Sequence, residues 1–267
     1  MYFITFSRKM GTKGTEIAKF VAKELQYNFY DTEDIEKKAE EMGFLDDIRE
    51  INGKTPPLLK RVFSCRPDIC LDRLNIVIYE LARLGSAVIL GRGGNMLFRS
   101  IPYALHVRVI ASQETRVRNL MERGYKREAA VIALQKSDHE RESFIRFAFQ
   151  REWDNPELYD IVLNMDKLTI NTAADMVLCA ARVDEVQGRT GDVINSLDMM
   201  KLAATVGTAL AQAGFRSSYV SAFVNEPGKV RLTGVVQVPR EKSTAERIAK
   251  GVKGVESVEN GIQIASR

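Results

Sequence analysis

The segment FITFSRKMGTKGTEIA, residues 3–18, gives the strongest indication of the fold. It combines a short apolar strand, a glycine-bearing turn and the start of an amphipathic helix. At such a junction the backbone N–H groups of the helix N-terminus point at an anion, and glycines let a phosphate come close. The turn therefore predicts a nucleotide phosphate site. Its expected binding residues are Ser7, Arg8, Gly11, Thr12, Lys13, Gly14 and Thr15.

The turn keeps only part of the Walker phosphate-binding pattern. That pattern requires glycine where Ser7 and Thr12 stand, whereas the lysine of Lys13-Gly14-Thr15 is retained. A lysine here would supply a mobile positive charge for the outer phosphates. The same residues also suit an ordinary strand–helix turn with solvated lysines. The prediction therefore depends on the position of the turn at the first junction of an alternating domain.

Strands and helices alternate after this opening. The run SAVILG (86–91) has the continuous hydrophobicity of a strand buried on both faces, and ALHVRVIA (104–111) is predicted as another strand. We expect helices at 17–25, 33–50, 69–84, 112–151 and 170–181, and a turn at INGKTPP, 51–57. This order predicts an α/β fold, a P-loop NTPase-type parallel sheet flanked by helices.

Composition excludes several classes of protein. The chain has 267 residues, of which 45% are hydrophobic, so it is not a disordered chain. A net charge of +4 is small for a nucleic-acid-binding protein, and we expect no nucleic-acid partner. Three cysteines and two histidines, none in a ligand motif, predict neither a disulfide framework nor a zinc site. No signal peptide or membrane-spanning segment is expected, and the expected location is the cytoplasm.

A break in composition divides the chain. The polar, glycine-bearing segment RVDEVQGRTGD, 182–192, is interpreted as a linker, which gives domains at 1–188 and 189–267. The second piece has the order helix, strand, strand, helix, strand, so a small α+β domain is expected. Residues 190–267 hold 10 basic and 7 acidic side chains, which is a modest excess of positive charge.

Basic residues are concentrated in the segment after the third strand. Residues 108–151 contain 10 basic and 6 acidic side chains, and residues 116–141 are predicted to form a lid over phosphates. Arg123 and Arg141 are the candidate clamps. Arg92 follows a buried strand, where ligands bind in open α/β sheets, so it is a candidate substrate-binding residue.

Two further residues allow two interpretations each. Asp31 could bind Mg²⁺ through water or a substrate hydroxyl, or could cap a helix. Trp153 could stack on a base, although packing in the core is the commoner role.

Several motifs in order resemble the nucleoside monophosphate kinases, and most closely the cytidylate-kinase-like family, over about residues 3–180. The motifs are FITFSRKMGTKGTEIA, FYDT (29–32), VILGRGG (88–94), RVRNLMERG (116–124), KSDHER (136–141) and WDNPELYDIVLNMDKL (153–168). The resemblance implies a P-loop kinase that uses ATP and Mg²⁺ to phosphorylate a nucleoside monophosphate, CMP-like in this family. It implies Arg8 or Lys13 facing the phosphates and Asp138 in the lid. Gly93 stands where cytidylate kinases carry an aspartate.

The C-terminal piece, about 196–267, resembles a BON domain through VRLTGVV (230–236), GV (254–255) and VEN (258–260). That resemblance implies a binding module for a membrane surface or a protein partner, and formation of a homo-oligomer is a further interpretation. Two alternatives to the kinase remain at this point. One is a non-catalytic nucleotide-binding sensor with a degenerate P-loop, and the other is a kinase whose acceptor is not a nucleotide.

Overall fold

The computed structural model of the chain describes residues 2–51, 66–182 and 190–265. The linker expected at 182–192 and the turn expected at 51–57 fall mostly outside the described residues, as does the proposed domain boundary at 188. The chain divides into two compact units. The first comprises Met1–Asp34 and Gly85–Thr190, and the second comprises Ile35–Leu84 and Gly191–Arg267.

The first unit is built on a five-stranded parallel sheet. Its strands are β1 (Phe3–Arg8), β2 (Asn28–Tyr30), β3 (Ala87–Leu90), β4 (Ala104–Ile110) and β5 (Ile161–Asn164). Their order in the sheet is β2-β3-β1-β4-β5, with Phe3 opposite both Ala87 and Ala104. The chain passes from β1 to β2 on one side of the sheet and then from β3 across β1 to β4 on the other side. Ligands bind at the carboxyl ends of strands at such a switch point. The expected parallel sheet flanked by helices is confirmed.

Helices cover the sheet because each presents one apolar face. They are α1 (Gly14–Leu25), α5 (Gly94–Leu97), α6 (Gln113–Met121), α7 (Arg127–Phe149) and α8 (Ile170–Ala181), with a 3₁₀ turn at Pro156–Leu158. Ile17 and Val21 of α1 and Val177 of α8 are fully buried against strand residues such as Ile4 and Val107. Each such aliphatic side chain contributes about 1.5–3 kcal/mol when buried.

The second unit contains helices from both halves of the chain. These are α2 (Thr32–Glu41, which begins in the first unit), α3 (Leu45–Ile51), α4 (Pro67–Ala82), α9 (Thr190–Gln212) and α10 (Pro239–Lys250). The strands β6 (Val220–Glu226), β7 (Lys229–Val236) and β8 (Ser257–Ile264) form a separate sheet in that order. Val206, Leu232, Ala245 and Ile262 lie in its buried core. The expected α+β domain is confirmed.

Helices α4 and α9 lie against each other within this unit. The Arg66 guanidinium donates to the carbonyls of Ala211 and Phe215, both at 2.6 Å. At the other end of α4, Arg83 Nε lies 2.8 Å from Asp198 Oδ1. The first turn of α4 therefore meets the last turn of α9, as in an antiparallel pair.

Several helices and strands differ from those expected from the sequence. The single helix expected at 33–50 is two helices separated at Gly43, whose φ is +75°. The helix expected at 112–151 is interrupted after Met121, and Gly124 has a φ of +92° there. Strands β2 and β5 were not predicted because they are short edge strands of three and four residues, and part of each is exposed.

Candidate functional site

The loop between β1 and α1 is held from outside by α6. Arg116 Nε donates to the Met10 carbonyl at 2.7 Å, and Asn119 Nδ2 donates to the Gly11 carbonyl at 2.8 Å. Both side chains are buried. The backbone amides of residues 11–15 have no acceptor within the part of the chain that the structure describes. A row of free amides at a helix N-terminus is a seat for an anion.

The glycines of this loop are required by its packing. Gly11 has a φ of +80°, and a β-carbon there would lie 2.9 Å from the Arg116 carbonyl oxygen. A β-carbon on Gly14 would lie 2.8 Å from Cβ of Arg8. A larger residue at either position would displace protein atoms before it obstructed a ligand.

Lys13 adopts a conformation that suits glycine. Its φ is +59°, it stands at the N-cap of α1, and its ammonium lies 3.5 Å from Glu122. The left-handed region costs a residue with a β-carbon about 1–2 kcal/mol. The ion pair is largely exposed, so it offsets little of that cost.

We therefore expect Lys13→Gly to raise the free energy of unfolding by about 1 kcal/mol, because glycine adopts this conformation without strain. Urea denaturation measures the effect. The matched control is Lys13→Ala, which removes the same side chain and ion pair but keeps the β-carbon, and it should show no gain. Equal stability of the two variants would show that the left-handed backbone is not the source of the effect.

Three guanidinium groups converge beside the loop. Arg8 ends β1, Arg92 follows β3, and Arg141 lies on α7. Residues 91, 92 and 93 all have positive φ, and a β-carbon on Gly91 would lie 2.8 Å from Nη1 of Arg8. Burial, together with the nearby charges of Arg141 and Arg92, lowers the pKa of Arg8 to about 9. An anion bound here would relieve the repulsion among these charges.

Of these three arginines, Arg141 is the one with a fully buried side-chain nitrogen that lacks a hydrogen bond within the described part of the chain. It makes no hydrogen bond to any described residue, and its Nη1 is buried. Burial is the main cause that lowers its pKa, and Arg108 and Arg116 contribute while Asp138 opposes them. Asp138 itself accepts from Arg116 Nη2 at 2.8 Å, so its carboxylate is shared among arginines. A buried donor without a partner marks a position for a ligand.

Arg108 was not singled out by the sequence analysis. It is 2% exposed, and its guanidinium lies 3.7 Å from the Trp153 ring centroid. It donates to Ser7 Oγ at 2.8 Å and to Asp154 Oδ1 at 2.5 Å. The only sequence signal was a basic residue inside the apolar run ALHVRVIA.

Ser7 and Trp153 belong to the same network. Trp153 Nε1 donates to Ser7 Oγ at 2.9 Å, so the tryptophan packs in the core. Asp154 also binds Lys9 of the loop, with Oδ2 2.7 Å from the ammonium. The network thus connects β4 to the phosphate loop.

The remaining candidates differ in where they lie. Asp31 Oδ1 accepts from the Glu33 amide at 2.8 Å, which is a helix-capping role, and its charge also acts on Arg8. Arg123 pairs with Glu16 of α1 at the surface. The structure therefore brings together Arg8, Arg92, Arg141, Asp31 and Asp138. Lys13 and Arg123 instead pair with glutamates.

The comparisons with known proteins agree with this architecture. The model of the cytidylate kinase-like family matches residues 3–167, more than half of the chain. The chain belongs to this family. A BON domain model matches residues 200–266 of this cytidylate kinase-like protein. No curated protein matches it significantly.

Solved structures resemble the chain at low sequence identity. An uncharacterized protein from Eubacterium ventriosum has a TM-score of 0.55 and 22% identity, covering 67% of this chain and 97% of that one. Shikimate kinase from Bacteroides thetaiotaomicron has a TM-score of 0.40 and 13% identity over 68% and 99% of the two chains. Gluconokinase from Sinorhizobium meliloti has a TM-score of 0.41 and 13% identity, covering 67% of this chain and 91% of that one. The first of these shows a shared fold.

No described helix is long and apolar enough to cross a membrane. Within residues 2–51, 66–182 and 190–265, no three histidine, cysteine or acidic side chains come together as a metal site.

Proposed function

We propose that this cytidylate kinase-like protein transfers a phosphoryl group from ATP to a nucleoside monophosphate, CMP or a close analogue. The observation that supports this most is the arginine cluster at the carboxyl ends of β1 and β3, beside a loop with free amides. Phosphoryl transfer requires positioning and charge neutralisation more than covalent chemistry. The site residues have that character.

Each group has a distinct part in the proposed reaction. The amides of residues 11–15 bind the phosphates of ATP, and Arg8 neutralises charge beside them. Arg92 and Arg141 bind the phosphoryl group that is being transferred, or the phosphate of the acceptor. A guanidinium suits this role because it can donate two hydrogen bonds to phosphate oxygens. Asp138 orients the lid arginines through Arg116.

The nucleoside of ATP has a pocket next to the loop. An open pocket of about 490 Å³ is lined by Thr12, Lys13, Arg118, Asn119 and residues 165–171. Its wall includes both loop residues and the start of α8, so a base there would leave the triphosphate over the loop. We infer that ATP, rather than the acceptor, occupies this pocket.

Mg²⁺ fits the site as an ion carried by the nucleotide. Mg²⁺ keeps several waters and usually takes one or two protein oxygens plus substrate phosphates. The Thr15 hydroxyl and the Asp31 carboxylate are the oxygens that would hold it in this proposal. When bound, Mg²⁺ would neutralise negative charge on the phosphates.

A nucleotide-binding sensor is the second candidate. The observation that favours it is Lys13, whose ammonium lies beside Glu122 instead of joining the arginine cluster. Under this alternative the loop binds ATP without turnover. The BON domain, which we propose as a binding module, would then transmit the bound state to a partner.

Turnover distinguishes the candidates. The full-length protein, ATP and Mg²⁺ are incubated with CMP, UMP, AMP, GMP and dCMP, and with polyol or carboxylate acceptors, and the products are separated by mass. We expect CDP to form fastest. ATP binding without any phosphorylated acceptor would support the sensor, and product only from a non-nucleotide acceptor would contradict the proposed substrate class.

A further inference from the structure

A second pocket lies in the other unit, between α4, α9 and β6. Its volume is about 320 Å³. Polar groups on its wall are Asp72, Asn75, Tyr79, Ser217 and Ser221. The rest of the wall is apolar and includes Met200, Leu210, Phe215 and Val220. An apolar pocket with a few convergent polar groups is the usual form of a small-molecule site.

Asp72 is the unusual group in this pocket. Its half-buried carboxylate has no hydrogen bond or ion pair with any residue that the structure describes. Its charged neighbour on α4 is Asp68, which carries the same sign and is itself bound by Arg66. The α9 and β6 residues that line the pocket carry no charge. An uncompensated carboxylate in such a place is unfavourable for folding.

Gly207 lowers the local stability of the same pocket wall. It lies inside α9, where glycine is about 1 kcal/mol less favourable than alanine. A β-carbon there would lie 2.7 Å from Asp72 Oδ2. The glycine makes room for the carboxylate, so two unfavourable features are in contact on one pocket wall. Residues that are locally unfavourable for stability and lie together are typical of binding sites.

We propose that this pocket binds a small organic ammonium ligand with an apolar body, with Asp72 as its counter-ion. An ammonium group has three donors and no acceptor. The Asp72 carboxylate would accept one of them. The Ser221 hydroxyl already donates to the Ser217 carbonyl at 3.0 Å, so its lone pairs remain available as acceptors. The aliphatic part of the ligand would lie on Leu210, Phe215 and Val220.

The protonation state of the Asp72 carboxyl makes ligand binding at this pocket depend on pH. Burial, with a contribution from Asp68, raises its pKa to about 7. Below this pH the Asp72 carboxyl of the folded protein is protonated, so it no longer carries the negative charge that would pair with an ammonium group. The folded pKa lies above the unfolded value, so the charged form destabilises the ligand-free protein above pH 7, and stability rises as the pH falls.

Calorimetric titration of the full-length protein with n-hexylammonium at pH 8.5 tests the proposal, with hexanol and hexanoate as neutral and anionic probes. We expect the ammonium to bind at least about tenfold more tightly than hexanol. Asp72→Asn should abolish that preference. Asp46→Asn removes one exposed carboxylate on α3 outside the pocket and should leave the preference intact.

Two outcomes would overturn the proposal. One is equal affinity of hexanol and hexylammonium for the unmodified protein, and the other is unchanged ammonium affinity in Asp72→Asn. A second measurement needs no variant. Ammonium affinity should fall to that of hexanol as the pH is lowered through about 7, while hexanol affinity stays constant, and a flat ammonium profile would also overturn the assignment.

Discussion

Replacing Arg141 by alanine is expected to lower turnover by about 10²-fold or more while leaving the melting temperature unchanged or slightly raised. The guanidinium of Arg141, whose Nη1 is buried, makes no hydrogen bond to a described residue, so its removal breaks no hydrogen bond in the part of the chain that the structure describes. It also removes a positive charge near Arg108 and Arg116. The loss should therefore be confined to steps in which an anion occupies the cluster.

Steady-state rates and thermal unfolding of the same samples measure this separation. Arg146→Ala is the matched control, because Arg146 lies on the same helix, is 69% exposed and pairs only locally with Glu142. Arg141→Lys keeps the charge without the planar fork and should recover part of the rate. A parallel loss of rate and melting temperature in Arg141→Ala would assign the residue to structure.

Replacing Arg108 by alanine is expected to destabilise the protein by about 3 kcal/mol or more. Unlike Arg141, Arg108 is 2% exposed, and its partners include Ser7, Asp154 and the Trp153 ring. Its removal leaves a cavity beneath the indole and takes a donor from the buried Ser7 hydroxyl. It also frees Asp154, which fixes Lys9 of the phosphate loop.

Urea denaturation of Arg108→Ala measures the loss, with exposed Arg151→Ala as the control that changes the same charge. Arg108→Met, which fills most of the space, should recover part of the stability but not the position of Lys9. Loss of turnover in Arg108→Ala with unchanged stability would mean that Arg108 contacts the substrate rather than supporting the loop.

The opening of the fold was predictable because its signals are local. Residues 3–25 follow the expected order of strand, turn and amphipathic helix, and Ile17, Val21 and Ala22 lie on the buried face of that helix. Strands β2 and β5 lacked such a signal. Each has only three or four residues at an edge of the sheet, where one side can remain polar.

The site was only partly predictable because arginines in a sequence do not reveal their partners. Arg123 and Arg141 both belong to the basic lid, yet one pairs with Glu16 and the other lies buried without a hydrogen bond among the described residues. Arg108 was missed because its partners Ser7 and Trp153 are 101 and 45 positions away in the chain. Such contacts depend on strand register, which periodicity alone does not give.

A crystal structure of the 267-residue chain with a non-hydrolysable ATP analogue, Mg²⁺ and CMP tests the proposed phosphate site directly. We expect phosphate oxygens at about 3 Å from the amides of residues 11–15, with Arg8 and Arg141 donating to them. Phosphates bound elsewhere, or bound at the loop with Arg8 and Arg141 both out of reach, would contradict the proposed role of the arginine cluster.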